Sequence, residues 1–350
     1  MGQSINLFKK YHGKLVEALE FASDLAGKTT DEYKLDGSEG IYLTSLMTQQ
    51  LNNYSTSGTS RYGTPAEMED MQQYIAWDYD KSYAITVDNS NYRDGGFLKT
   101  AGAVIAAQND EVVAPFIEQN FYEKLFKNPG KSITGSDPSA STIMGRITAI
   151  EAAFKNAGIP EANRYLVIGT TLFQLIRQSL TNCDTVTNKL LLKGVVGRIG
   201  TLNVIEVADN MLPEHVYMIA WQKKSAVKAF DIKESKAHDN PPGINGALIE
   251  YRVRGVSDVV GKRAGGVIVD VNTSFKQGNP TINSSTGAIG LNSAQKVKYT
   301  LDGTDPRYSK SAVEISSGTT PSFTAPVTIK AVGYYAGKAP SDVVSQSFSA

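Results

Sequence analysis

Apolar positions along this chain recur at two periods, and each change of period marks a part of the molecule. Residues 7–26 carry Leu7, Leu15, Leu19 and Ala22 at helical spacing, with Gly27 as the stop. The run WDYDKSYAITVDN (77–89) alternates and ends in Asp-Asn, which predicts a strand. Asp94 is placed to cap a helix over about 95–127, with Phe97, Ala101, Val104, Ile105, Val112, Phe116 and Ile117 as its apolar stripe. Asn128-Pro129-Gly130 ends that helix, and Pro115 should kink it or split it in two. DPSASTIMGRITAIEAAFKNAGIP (137–160) is the cleanest helical pattern, with Ile143, Ile147, Ile150 and Phe154 on one face and Gly158 and Pro160 closing it.

RYLVIG (164–169) predicts a buried strand. TTLFQLIRQSL then opens a short helix with Thr170 or Thr171 as cap. GTLNVIEVA, HVYMIAW and SAVKAF (200–230) predict three strands, and GALIEYRVRGVSDVVGKRAGGVIVDV (246–271) two more. Helices and strands fall in separate blocks, so this part of the chain is expected to be α+β.

From about residue 273 the pattern changes. Ser and Thr rise, helical spacing disappears, and short alternating runs follow: QKVKYTLD, PVTIKAVGYY and VVSQSFSA. Val297, Tyr299 and Leu301 share one face, and Val327, Ile329 and Ala331 repeat the arrangement. Asp302-Gly303 is a strong hairpin signal. The expectation is a separate all-β sandwich of about 75 residues.

The segment 28–80 fits neither pattern. Its apolar residues are sparse, and its middle, NNYSTSGTSRYGTPAEMEDM, is polar and turn-rich. A stretch this long without its own core is unusual inside a compact domain. Yet Ile41, Leu43, Met47, Tyr54, Tyr62 and Tyr74 are too many for pure disorder. The segment is therefore expected to be an extended loop whose apolar residues bury against another chain.

Composition narrows the function. At 350 residues the chain has room for two or three domains. The 35 basic residues balance the 35 acidic ones, which argues against a dedicated nucleic-acid reader and favours association. The single cysteine, Cys183, allows no disulfide within one chain and reads as an ordinary small residue near a loop. With no apolar signal core at the N-terminus and no run of about 18 apolar residues, the chain is expected to be made and kept in a cytosol-like compartment, or released from it by lysis.

Chemistry-bearing motifs are missing. His12, His215 and His238 are far apart in sequence and lack the company of a metal site. Asp78 and Asp80 form a DxD pair, but no nucleotide-binding signature accompanies it, so two exposed carboxylates on one strand face is the better reading. GTSRYG (58–63) has the wrong spacing for a nucleophile elbow. GVVGRIG (194–200) precedes a strand and reads as a bend, and GKRAGG (261–266) lacks the residues of a phosphate-binding loop. No catalytic, cofactor or metal site is expected.

Charge is segregated. Segment 28–80 holds nine acidic residues against Lys28, Lys34 and Arg61, while 186–270 is mildly basic. Asp31, Glu32, Asp36, Glu39, Glu67, Glu69 and Asp70 on one side, and Lys223, Lys224, Arg252, Arg254, Lys262 and Arg263 on the other, are candidates for a head-to-tail contact between copies. The alternative is that each run is a solvated face.

The order of these elements resembles the tailed-bacteriophage major capsid proteins of the Hong Kong 97-like fold. The resemblance is carried by WDYDKSYAITVDN, GGFLKTAGAVIAAQNDEVVAPFIEQNFYEKL, SASTIMGRITAIEAAFKNAGIP with RYLVIGTTLFQLI, GVVGRIGTLNVIEVADNMLP and GALIEYRVRGVSDVVGKRAGGVIV, over roughly residues 30–272. It rests on pattern and order, since none of these motifs is diagnostic alone. It implies an N-terminal arm (1–27), an extended loop (28–93), and peripheral and axial domains (94–272) with a spine helix at 94–127. It also implies hexamers and pentamers closing an icosahedral shell, assembled in the bacterial host cytoplasm. Portal and scaffolding proteins of the same phage, and packaged double-stranded DNA held non-specifically, would be its partners. No membrane partner and no crosslinking lysine–asparagine pair is expected.

The tail, YTLDGTDP with TIKAVGYYAGKAPSDVV, resembles the immunoglobulin-like domain at the C-terminus of chitobiase and hexosaminidase-type enzymes. On a capsid it would be an outward-facing surface domain (273–350). Tyr299, Tyr308, Tyr334 and Tyr335 either stack on sugars, with Tyr308 and Tyr334 as the foremost glycan contacts, or serve as core and strand-face residues. Two other functions remain open at this level: an encapsulin-type nanocompartment shell, and a carbohydrate-binding accessory module of a glycan-active enzyme.

Overall fold

The computed structural model describes residues 25–36, 39–46, 51–63, 65, 67, 70–89, 101–180 and 197–349. Residues 7–24 of the expected helix at 7–26, the Asp94 cap, Met47, Glu69 and Cys183 lie outside the described residues.

A six-stranded mixed sheet forms the centre, in the order 131–135, 267–272, 216–222, 164–169, 202–207, 198–199. Strand 267–272 runs parallel to 131–135 and antiparallel to 216–222, and strand 164–169 is parallel to 202–207. Both faces are covered, which is why RYLVIG and VYMIAWQ are continuous apolar runs and not alternating ones. On one face Leu166, Ile168, Met218, Ala220 and Ile268 pack against Ile143, Ile147, Ile150 and Phe154 of helix Ile143–Asn156 and Phe173 and Ile176 of helix Thr170–Leu180. On the other, Val167, Ile219, Trp221, Val267 and Val269 pack against Phe121, Tyr122, Leu125 and Phe126 of a long helix.

That long helix runs from Ala101–Gln108 through a π-turn at Asn109–Val113 into Ala114–Lys127. Pro115, which has no N–H and crowds the preceding turn, sits in the first turn of the last segment, and the widened π-turn lies just before it. The helix is thus locally rewound and not broken. Helix Thr170–Leu180 draws its first-turn cap from elsewhere in the chain, while its Thr170 hydroxyl donates to Val207 O at 3.1 Å. Asp209, in the 3-10 turn Asp209–Met211 that follows strand 202–207, accepts the Thr171 amide at 3.1 Å and bonds the Thr171 hydroxyl.

Strands Ala226–Asp239 and Gly246–Val259 form a long antiparallel hairpin with one irregularity at Phe230/Ile232, and Tyr79–Asp88 adds to its second strand. Segment 28–80 carries a smaller sheet of Lys34–Asp36, Gly40–Leu46 and Asp70–Ala76. Here the sequence reading needs correction. Ile41, Leu43 and Ile75 do not await another chain; they are buried in this one, against Val227, Ala229, Val256 and Val260 of the hairpin.

Residues beyond 273 form a four-stranded antiparallel sheet, in the order 313–315, 296–300, 327–334, 344–348, and a small pair, 281–282 with 289–290. Val297, Tyr299, Ile329 and Ala331 make a separate core, with Leu301 and Val327 packed on it, as their alternation predicts. Asp302-Gly303 is not a two-residue hairpin. Strand 296–300 pairs with 313–315 only after residues 301–312 intervene.

Candidate assembly surface

The residues singled out for chemistry have structural partners. Asp78 accepts from Asn120 Nδ2 and Lys124 Nζ, both at 2.6 Å, and Asp80 is held by both arms of Arg252 at 2.9 and 2.6 Å. The DxD carboxylates therefore serve two separate contacts. His215 stacks on Phe275 at 3.4 Å between ring centroids, and His238 pairs with Glu250 at 3.2 Å. Among the described residues no group of three or more His, Cys, Asp or Glu is placed to hold a metal ion. No helix there is long and apolar enough to cross a membrane. GKRAGG is a 3-10 turn, Gly261–Gly266, whose glycines admit close neighbours: a Cβ on Gly266 would lie 2.0 Å from Ser225 Oγ.

Much of the charge expected to bridge copies is mated within the chain. Glu32 accepts from Lys224 and from Arg263, each at 2.8 Å. Arg252 pairs with Asp80, and Arg254 lies 3.5 Å from Asp231 and over the Trp77 ring. The start of segment 28–80 and the hairpin end thus attract each other within one chain. Asp31, Glu39, Glu67 and Lys262 are exposed and Lys223 is half-buried, while the side chains of Asp36 and Asp70 lie outside the described residues.

The hydrogen bonds from Lys224 and then Arg263 bring the Glu32 pKa down to about 2 from 4.5. The stabilisation is therefore present above pH 4.5 and is lost as pH falls toward 2. The Glu32 side chain is 52% exposed, so solvent screens the pair. Glu32→Gln should cost less than about 1 kcal/mol at neutral pH. The gap from the parent chain should close in acid. Urea unfolding at neutral pH and near pH 2 checks both.

The same segment also exposes large apolar side chains. At the tip of the loop Leu51 is 100% exposed, Tyr62 84% and Tyr54 55%. The two tyrosine rings meet edge-on at 5.2 Å. The tip is shaped by its own backbone, with the Ser55 amide donating to Arg61 O at 2.9 Å and the Gly63 amide to Ser60 O at 3.0 Å. The turn thus displays three large apolar side chains together on its surface. Tyr54 and Tyr62 were legible as candidates in the sequence, whereas Leu51 was not, because nothing local distinguishes it.

The candidate glycan tyrosines are mostly engaged within the chain. Tyr308 is turned into the rest of the subunit, its hydroxyl donating to Asn128 O at 2.8 Å, and burial pushes its hydroxyl pKa up. Burial also raises Tyr334, whose ring lies under Lys298 Nζ at 5.6 Å. Tyr299 belongs to the domain core. Tyr335 alone of the four is substantially exposed, and Lys338 lies over its ring. One ring makes no stacking platform.

Two buried ionic features escaped the sequence reading. Asp270, fully buried in strand Val267–Asn272, is gripped by Arg146, whose Nε donates to Oδ2 at 2.8 Å and whose Nη2 bonds Oδ1. Burial pushes the Asp270 carboxyl up and the Arg146 fork pulls against it. Arg164, also fully buried, donates to Pro160 O at 2.9 Å, to Thr201 Oγ1 at 3.0 Å and to Ile159 O. The signal for Asp270 was present in VIVDV, since a lone carboxylate in an apolar strand needs a partner.

Comparison with known proteins agrees with this architecture. A chain of Mycobacterium phage Che8 superposes with a TM-score of 0.57 at 20% identity, over 71% of this chain and 90% of that one. The capsid of the cyanophage P-SCSP1u gives 0.53 at 11% identity, over 70% and 86%. The mature capsid of bacteriophage PhiM1 gives 0.51 at 12% identity, over 68% and 83%. The family model described as Fn3 associated matches residues 288–348. No curated protein matches the chain. The fold is therefore that of phage capsid subunits, the Hong Kong 97-like fold, followed by a C-terminal immunoglobulin-like domain.

Proposed function

We propose that this chain is the major capsid subunit of a tailed phage. Many copies form hexamers and pentamers that close into an icosahedral shell around double-stranded DNA. The observation that carries the reading is the capsid fold over about 70% of the chain, with an apolar loop tip that its own subunit leaves uncovered. Assembly takes place in the bacterial host cytoplasm, with portal and scaffolding proteins of the same phage as partners. The C-terminal domain faces outward. The shell holds DNA weakly and without sequence preference, in keeping with a chain of zero net charge.

Nuclease treatment of particles purified from the producing host tests the reading. Protected double-stranded DNA inside the particles is the expected result. Particles that carry protein cargo and no nucleic acid would instead assign the chain to the encapsulin-type compartments.

A further inference from the structure

The insertion at 301–312 is longer than its hairpin needs, and its own carboxylates give it a fixed shape. Asp302 accepts the Thr304 amide at 2.9 Å and the Ser311 hydroxyl at 2.5 Å. Asp305 accepts the Arg307 amide at 3.0 Å, Nε at 3.0 Å and Nη2 at 2.6 Å. The Arg307 side chain is only 8% exposed. One terminal nitrogen, Nη1, points out of the C-terminal domain and donates to Pro129 O and, at 3.3 Å, to Gly130 O. The neighbouring Tyr308 donates to Asn128 O. Three consecutive carbonyls are thus satisfied by two adjacent residues from about 180 positions away in sequence.

Those carbonyls form the elbow between the long helix, which ends at Lys127, and the first strand of the central sheet, which starts at Lys131. A helix C-terminus leaves carbonyls without partners and carries the negative end of the helix dipole, so a guanidinium matches it chemically. Asp305 holds the planar fork in one orientation before it docks, which limits the entropy lost in docking. The ring of Tyr308 packs on the main core cluster, seated on Gly261, where a Cβ would come within 2.6 Å of the tyrosine Cβ. A second contact is independent of this loop. Ala339, tied within the C-terminal domain by its amide to Phe275 O at 2.8 Å and by the Gln277 amide to its own carbonyl at 2.9 Å, is fully buried in that same main core.

We infer that Asp305, Arg307 and Tyr308 form an intramolecular clasp by which the C-terminal domain fixes the elbow between the long helix and the central sheet. The domain is then a structural part of the subunit, presented in one orientation, and not a tethered appendage. The clasp also explains a glycine in GKRAGG without chemistry: Gly261 makes room for Tyr308.

Hydrogen exchange on the full-length chain tests this. In the double variant Arg307→Ala/Tyr308→Ala, the amides of Asn128 and Gly130, which bond Lys124 O and Val267 O, should exchange about tenfold faster or more. The Ala339 amide should follow, while amides inside the strands 296–300 and 327–334 stay protected. Tyr308→Phe, which removes only the hydroxyl, should give a smaller acceleration at the same elbow. Unchanged elbow protection in the double variant would overturn the clasp. So would equal acceleration throughout strands 296–300 and 327–334, which would mean that these residues serve the folding of their own domain. Should the double variant fail to fold, Tyr308→Phe decides by the same two readouts. None of these readouts requires a shell, so the clasp and the capsid reading fail separately.

Discussion

Replacing residues 51–63 by a short Gly-Ser turn should leave a folded, soluble subunit that closes no shells. The structure makes this a cleaner cut than removing the whole loop. Ile41, Leu43 and Ile75 cover Val227, Ala229, Val256 and Val260 within the chain, so a wider deletion would open the subunit's own core. The tip contributes nothing comparable to the isolated subunit, because Leu51, Tyr54 and Tyr62 face solvent. Covered by a neighbour, each of these side chains would contribute roughly 1.5–3 kcal/mol. Every copy in a closed shell repeats that loss, so even a modest weakening per contact removes the assembled state. Melting of the variant should stay near that of the parent subunit, and sedimentation should show no large particles. Normal particles from the tip deletion would mean that the loop is not the assembly contact.

The second large effect is on stability. Asp270→Ala should cost about 3–5 kcal/mol, because it strands Arg146 beside an apolar sheet without its counter-charge. The Arg146 side chain is 13% exposed and that of Asp270 is fully buried, so water cannot easily replace the lost partner. Arg146 also bonds Ser136 O and lies over the Tyr217 ring at 4.8 Å, which ties helix Ile143–Asn156 to the sheet edge. A loss of this size is a large share of the 5–15 kcal/mol typical of a domain. Replacing both partners by apolar residues of similar volume should cost much less than either single change. Urea midpoints at constant slope measure the difference. A single-variant cost below about 1 kcal/mol would show that the pair is effectively solvated.

The parts of this fold that were legible in the sequence are those fixed by local period. Ile143, Ile147, Ile150 and Phe154 announced their helix, and the unbroken apolar run RYLVIG announced a buried strand. Long-range choices were not legible. Ile41 and Leu43 looked orphaned because their cover, the hairpin 226–259, lies almost two hundred residues further on. Glu32, Lys224 and Arg263 looked like partners for another subunit because charge segregation along a chain does not reveal which ends fold together. Arg307 and Tyr308 sit in a polar loop next to a strong turn dipeptide, so nothing local told a docking loop from a hairpin. For the same reason the sequence left Tyr308 and Tyr334 open between sugar stacking and a strand-face role. Tyr308 faces inward only because Asn128, Gly261 and the main core are there to receive it.

Electron microscopy of the purified full-length chain tests the central claim most directly. The account predicts closed icosahedral shells built of hexamers and pentamers, with the C-terminal domain as outer density in the same place on every subunit. A monodisperse monomer across a range of salt concentrations would contradict it.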